Sequence, residues 1–359
     1  MIVVVTGQVG VDKKPYLLDV QQRAAAAGHC VRLAHVGDRM YAEAPDIAPG
    51  RILDLPLSRL NALRRSVFKD IITEAHSGDH LIVNTHATFR WRHGLFPAFD
   101  FDQMKQLDAD FYVTLVDNVD VVHHRLMCGH NVSHDLKDVL VWREEEILAT
   151  EVLSQIARGH GCFYILARGR AMDSAESFMR LIFEPKRKRV YPSFPMSHVM
   201  DMPATLAQIN DFRAQLARHF ITFDPGDVDE KYMLYAAEQA RQKGQQEFTL
   251  ECDGVDVVFG VDSVLALARD IDGQIYARDF KLIDQAEMIV SLIPELQGGK
   301  PGLSSGVERE LQHAHEHAKE VYVVWIPKAD PSPFITATAT RVFSGVNEAL
   351  EYFANKGYL

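Results

Sequence analysis

The run IVVVTG at residues 2–7, continued by QVGVDKK at 8–14, decides how the first half of the chain is read. β-branched residues ending at a glycine mark a short buried strand, and Tyr16 to Gly28 beyond the loop carries helix formers, so the parse is strand, loop, helix. Outward from there, apolar runs recur as VRLAHV at 31–36, HLIVNT at 80–85, FYVTLVD at 111–117 and CFYILA at 162–167. Helical stretches separate them, notably Leu57–Glu74 and Val141–Arg158. Apolar strands alternating with helices predict a parallel sheet covered on both faces.

A compact basic segment with a proline, EPKRKRV at 184–190, reads as a solvated linker in preference to a phosphate patch, and a second alternation starts directly after it. The boundary is placed near Phe183, giving domains 1–183 and 184–359. The second half reads as strand 189–194, helix 203–218, strand 220–223, helix 229–243, strand 255–260 and helix 261–270. Strand 288–293, helix 305–319, strand 321–326 and a closing helix 345–354 complete it. The expected class is α/β, with two three-layer domains, the second doubly wound and Rossmann-like.

Composition narrows the function classes. The 359 residues suit two domains at roughly 100 to 200 residues each. With 38 Lys and Arg against 49 Asp and Glu, the net charge of −11 argues against binding extended nucleic acid, which needs surplus positive charge. No run reaches the roughly 18 apolar residues of a membrane span, and the first residues lack a basic region and cleavage site, so a cytoplasmic protein is expected. Cys30, Cys128, Cys162 and Cys252 lie far apart, which suggests neither a zinc ribbon nor a disulfide framework but reduced, mostly packed thiols. His313 and His317 share a helix face at metal-ligand spacing, with no further ligand evident, so no metal site is expected.

A phosphate-binding loop needs G-x-x-x-x-G-K-S/T between a strand and a helix, so that backbone N–H groups cradle phosphates, lysine reaches the terminal phosphates and the hydroxyl holds magnesium. Here Gly7, Gly10 and Lys13 fit, while Asp12 stands for the second glycine and Lys14 for the hydroxyl. Together with HVGDRMYAEA at 35–44 and IVNTHATFRWRHGLFPAF at 82–99, the loop resembles archaeal-type adenylate kinases over residues 1 to about 170. The resemblance implies a nucleotide site at Gly7, Gly10, Lys13 and Lys14, with ATP and Mg²⁺ as the cofactors. Two departures fall at the chemistry: Asn84 replaces the strand-end aspartate, and MCGHNVSHD after Arg125 replaces an arginine-rich lid. Arg59, Arg64 and Arg65 are either monophosphate contacts or a solvated helix face, and the run Glu144 to Glu146 reads as the solvent side of a helix.

In the second half, GLSSGVERELQHAHEHAKEVYVVWIP at 302–327 opens a helix on Ser304, Ser305 and Gly306, whose N–H groups and hydroxyls form an anion site at its positive end. Glu310 follows about one turn in. Three segments in order, VYPSFPMS at 190–197, YARDFKLIDQAEMIVSLI at 276–293 and Ser304 to Leu311, resemble the nucleoside 2-deoxyribosyltransferase superfamily over about 188–345. The resemblance implies Glu310 as the catalytic carboxylate and Asp279, in an Arg-Asp pair before a helix, as its partner. Tyr191, Ser193 and Ser197 would contact sugar and base, and Ser304, Ser305 and Gly306 would bind substrate. Transferases acting on free nucleosides carry aspartate where Ser304 stands, whereas the related nucleoside 5′-monophosphate N-glycosidases carry serine. A hydroxyl at a helix start donates to phosphate where a carboxylate repels it, so a 5′-monophosphate is the expected substrate. The late PSPF loop at 331–334 implies a homo-oligomer by the same resemblance. Residue patterns alone leave Glu310 as a solvated helix residue and Asp279 as a helix N-cap.

The expected protein is therefore an enzyme cleaving or transferring the glycosidic bond of a nucleoside 5′-monophosphate, with an N-terminal domain that binds a nucleotide. A working nucleoside monophosphate kinase and a non-catalytic nucleotide-binding regulator are the rivals.

Overall fold

Each apolar run read as a parallel strand in the first half lies in one sheet of the computed structural model. The structure describes residues 1–75, 78, 80–91, 94–129, 134–169, 174–196 and 199–359, with Trp91 described by its backbone alone. Two compact units divide the chain: Met1–Ala175 with Val228–Ile271, and Glu176–Asp227 with Asp272–Leu359. Each is made of two stretches of the chain, where the sequence suggests a single cut near Phe183.

In the first unit, strands β1 (Ile2–Thr6), β2 (Val31–His35), β3 (His80–Asn84), β4 (Phe111–Val116) and β5 (Phe163–Ala167) pair in the order β2-β3-β1-β4-β5, all parallel. The glycine-containing loop leaves the central strand of this five-stranded parallel sheet. Val3, Val4 and Val5 are buried because both sheet faces are covered, which is why the strand reads as a continuous apolar run. The covering helices include α1 (Lys13–Ala26), α2 (Leu57–Ala75), α3 (Val119–Gly129) and α4 (Leu136–Ala157). Helix α4 starts five residues before the expected Val141, because Asp135 and Asp138 form a reciprocal capping box there.

Residues 247–260 correct the reading of the second half. They form an antiparallel hairpin, Glu247–Cys252 against Val255–Gly260, that belongs to the first unit. Its two turn residues, Asp253 and Gly254, both have positive φ, the conformation a tight Asp-Gly hairpin turn requires. A short helix at Val261–Leu265 follows in place of one helix over 261–270, and then α6 runs over Ala268–Gln285. The buried pair Arg143 and Glu230 ties the segment before the hairpin to α4 within the same unit.

In the second unit, β6 (Arg189–Ser193), β7 (Ile221–Thr222), β8 (Met288–Ile293), β9 (Glu320–Trp325) and β10 (Arg341–Phe343) pair in the order β10-β9-β8-β6-β7, all parallel. Helices α5 (Pro203–His219), α7 (Ser305–Glu316) and α8 (Val346–Asn355) belong to this unit with the greater part of α6. Val190, Val290, Tyr322, Phe212 and Phe353 share one buried core. The chain steps outward from β6 to β7 and then resumes on the other side at β8, so β6 and β8 flank the switch point of a doubly wound sheet. In such sheets ligands bind beyond the carboxyl ends of the strands at that point.

Candidate functional site

In the second unit, the carboxyl end of β6 is occupied by Ser193, and the register places Ser291 of β8 directly beside it. Ser193 donates through Oγ to Glu310 Oε2 at 2.6 Å, and Ser291 Oγ donates to Ser193 Oγ at 3.2 Å. Both serines are fully buried, so strand pairing fixes a chain of hydroxyls that ends on one carboxyl. Tyr191 lies two residues earlier and therefore faces the same side of the sheet. Its buried hydroxyl makes no well-formed hydrogen bond, although it lies near Glu310.

Helix α7 delivers Glu310. Ser304 is the helix N-cap, its Oγ accepting from the Val307 N–H at 3.2 Å, which leaves the hydroxyl proton available to a ligand. Just upstream, the Gly302 N–H donates to Pro294 O at 2.7 Å, and a Cβ on Gly302 would lie 2.8 Å from Pro294 Cγ. Only glycine lets the loop pass so close to the end of β8 before α7 begins. Ser305 and Gly306 are exposed in the first turn of α7. Asp279 differs from expectation: it lies inside α6 rather than before a helix or at an N-cap, because α6 starts eleven residues earlier, at Ala268. Ser197 lies outside the described residues.

Glu310 keeps a partly exposed side chain, yet protein crowds its carboxyl. Burial, followed by the charge of Asp279, pushes its pKa from 4.5 up to about 8, against the pull of Ser193 and Tyr191. Burial and the same two carboxyls raise the Tyr191 phenol well above its ordinary value. The charge of Asp279 favours the protonated form of Glu310, the arrangement from which acid and base roles separate.

The first unit's loop keeps its shape and fills its own interior. Gly10 has φ +89°, and a Cβ there would meet Leu126 Cγ at 2.9 Å. Asp12, standing for the second glycine, adopts a left-handed conformation at φ 56° that few non-glycine residues take. Lys13 is buried, its Nζ donating to Gly7 O at 2.7 Å and lying 3.3 Å from His86 Nδ1. Burial lowers its pKa to about 8 against the attraction of Glu146 and Asp12.

Glu146 corrects the expected solvent-side run. It is 1% exposed and accepts from the Gly7 N–H at 3.2 Å, the Ala87 N–H at 2.7 Å, the Thr88 N–H at 3.0 Å and the Thr88 hydroxyl at 2.6 Å. Burial alone would raise its pKa, but the adjacent His86 and Lys13 and the Thr88 hydroxyl hold it near 2. The signal was in the sequence: Leu140, Arg143, Glu146, Ile147, Thr150 and Leu153 recur at the spacing of one buried helix face.

Arg125 is the second residue whose partners the sequence did not reveal. It donates to Gly10 O at 3.2 Å, Val11 O at 3.3 Å and Asp117 Oδ2 at 2.8 Å, and grips both oxygens of Asp253 at the hairpin tip at 2.6 and 2.9 Å. Burial raises Asp117 to about 6 in spite of Arg125. Arg64, expected on a helix face, is buried and donates to Pro97 O at 3.0 Å, while Arg59 and Arg65 are exposed and paired with Asp46 and Asp100. Of the four free cysteines only Cys252 is buried, so mostly packed thiols is corrected too.

Lys14 pairs with Asp38 at 2.7 Å on the surface, and the Asn84 amide pairs with His35 Nδ1 at 3.0 Å. Neither offers magnesium an oxygen ligand of the kind it prefers, so these residues do not fit a magnesium nucleotide poised for phosphoryl transfer. Among the described residues no helix is long and apolar enough to cross a membrane.

No protein-family model matches the chain, and no curated protein matches it. Among solved structures the chain is similar to a shikimate kinase from Bacteroides thetaiotaomicron, at 11% identity and TM-score 0.36, over 51% of this chain and 98% of that one. It is also similar to a gluconokinase from Sinorhizobium meliloti 1021, at 14% identity and TM-score 0.33, over 51% of this chain and 94% of that one.

Proposed function

We propose that the second unit cleaves or transfers the N-glycosidic bond of a nucleoside 5′-monophosphate, with Glu310 as the group that engages C1′. The observation that carries this reading is the placement at the switch point of Glu310, held by the buried Ser193 hydroxyl and crowded by Tyr191 and Asp279. The Ser304 hydroxyl and the first N–H groups of α7 suit the 5′-phosphate.

In this mechanism substrate binding moves the Glu310 proton to Asp279 and leaves the charge on Glu310. The C1′–N bond breaks as a Glu310 oxygen bonds to C1′, the bond's electron pair leaves with the base nitrogen, and that nitrogen takes the proton from Asp279. Ser193 holds the Glu310 oxygen in place throughout. Water or a second base then attacks C1′, displacing the Glu310 carboxylate. A proton released from attacking water, or from the incoming base, restores Asp279.

The first unit is proposed to bind a nucleotide at Gly7, Gly10, Lys13 and Lys14 without turning it over. A phosphate would take Lys13 from Gly7 O. The whole is proposed to work in the cytoplasm as a homo-oligomer.

The test is chromatography of products from the full chain with ribo- and deoxynucleoside 5′-monophosphates, with and without ATP and Mg²⁺, beside Glu310→Ala. Free base formed by the wild type and lost in the variant is expected. Diphosphate formation with no free base, unaffected by the substitution, overturns the reading in favour of the first unit as a kinase.

A further inference from the structure

Helices α6 and α7 meet in the second unit at a set of side chains that the glycosidic chemistry does not use. Asp284 lies near the end of α6, and His313 and His317 lie at the end of α7, four residues apart and so on one face. His313 Nε2 is 2.7 Å from Asp284 Oδ1, and the two imidazole rings lie 4.1 Å apart between centroids. Phe280 stacks on the His313 ring at 4.4 Å and 16°, which fixes that ring's plane.

We propose that Asp284, His313 and His317 bind one divalent transition-metal ion, for which zinc is the representative, leaving a fourth position open.

Three features support the site. One ligand atom from each residue lies within 4.8 Å of the others. A tetrahedral ion with bonds of roughly 2.0–2.1 Å needs its ligand atoms roughly 3.3 Å apart, so the widest gap closes by about 1.5 Å (4.8 − 3.3). Asp284 and His317 are exposed and His313 partly so, which leaves their side chains room for that adjustment.

The tautomer is also set. His317 Nδ1 lies 2.8 Å from the His313 carbonyl oxygen and can donate to it, which directs the Nε2 lone pair outward, the backbone support that metal-binding histidines commonly have. The carboxylate, moreover, is not spent on the nearby cation. Lys319 Nζ donates to the backbone oxygens of Asp284 and Ala286, at 2.9 and 2.6 Å, rather than to the Asp284 side chain. Two imidazoles and one carboxylate form a borderline donor set that suits zinc better than magnesium or calcium.

The placement gives the ion a role. Asp284 is on the helix that carries Asp279, and His313 is one turn beyond Glu310 on the other. An ion held by both helices clamps the spacing of the two carboxyls, while remaining outside the reaction itself. The metal site stands whether or not the glycosidic reading does, because its test reads metal directly.

The full chain, stripped with a chelator and dialysed against zinc, is assayed for bound metal by atomic spectrometry and for affinity by calorimetry. Wild type and His315→Ala, whose imidazole lies outside the cluster, are expected to hold one zinc per chain. His317→Ala and Asp284→Asn are expected to bind at least roughly tenfold more weakly, with circular dichroism unchanged. Cobalt substitution is expected to give visible bands without a thiolate charge-transfer band. No stoichiometric zinc in the wild type overturns the proposal. So does zinc that survives both substitutions or shows thiolate ligation, which would place it elsewhere, as at His124 and Cys128, whose nitrogen and sulfur lie 3.8 Å apart.

Discussion

Replacing Glu310 by Gln removes a carboxyl that the fold holds in its neutral form, and the structure sets the size of the effect. The pKa rises from 4.5 to about 8, a difference of about 3.5 pH units, or roughly 4.8 kcal/mol at 1.36 kcal/mol per unit. The partial exposure of the side chain reduces this to about 2–4 kcal/mol. Below pH 4.5 the carboxyl is protonated in both the folded and unfolded chain, and glutamine is its near equivalent. Between 4.5 and about 8 the unfolded chain gives up a proton that the folded chain keeps, so wild-type stability falls as pH rises, and above about 8 the loss is complete. The variant lacks this term, and all other titrating groups cancel in the comparison. Denaturant unfolding of both proteins at pH 4.5, 7 and 9 should therefore show near equality at the lowest pH and a more stable variant at the highest. A difference in stability that is the same at pH 4.5 and pH 9 refutes the assignment of a crowded, proton-retaining Glu310.

Glu146→Gln should act in the opposite sense. A carboxyl held near 2 instead of 4.5 contributes about 3 kcal/mol that is present above pH 4.5 and lost as pH falls through 2. Thermal unfolding at pH 7 and pH 3 should show the variant weakened most at pH 7. Gly10→Ala forces a side chain into φ +89° against Leu126 and should cost about 1–3 kcal/mol in denaturant unfolding; a loss under about 0.5 kcal/mol contradicts the loop geometry. The proposed oligomer suggests a cover for Phe334, which is 86% exposed. Sedimentation velocity should find wild type associated and Phe334→Asp shifted toward monomer.

Much of this was legible in the chain. Strand runs such as IVVVTG and MIVSLI reveal a parallel sheet because burial on both faces demands uninterrupted apolar residues. The Gly302 to Leu311 segment announces a helix start with a carboxyl in its second turn, because N-caps and helical spacing are local properties. The hairpin at 247–260 was misassigned because an isolated run such as VDVVFG has the same periodicity in either unit, and only its pairing decides which one it joins. Asp279 was placed before a helix because no cap residue in the sequence marks the true start of α6, ten positions behind Arg278.

By itself the sequence determined the strands of both parallel sheets and most of the helices that cover them, and that Glu310 stands near a helix start, since all of these follow from neighbours along the chain. Only the tertiary structure decided which charges are buried together. Glu146 meets the loop from 139 residues away in the chain, and Ser193 meets Glu310 from 117. Asp284 meets His313 across two helices. The protonation of each carboxyl depends on desolvation and on the charges brought beside it, and both are set by packing between residues that the sequence keeps far apart.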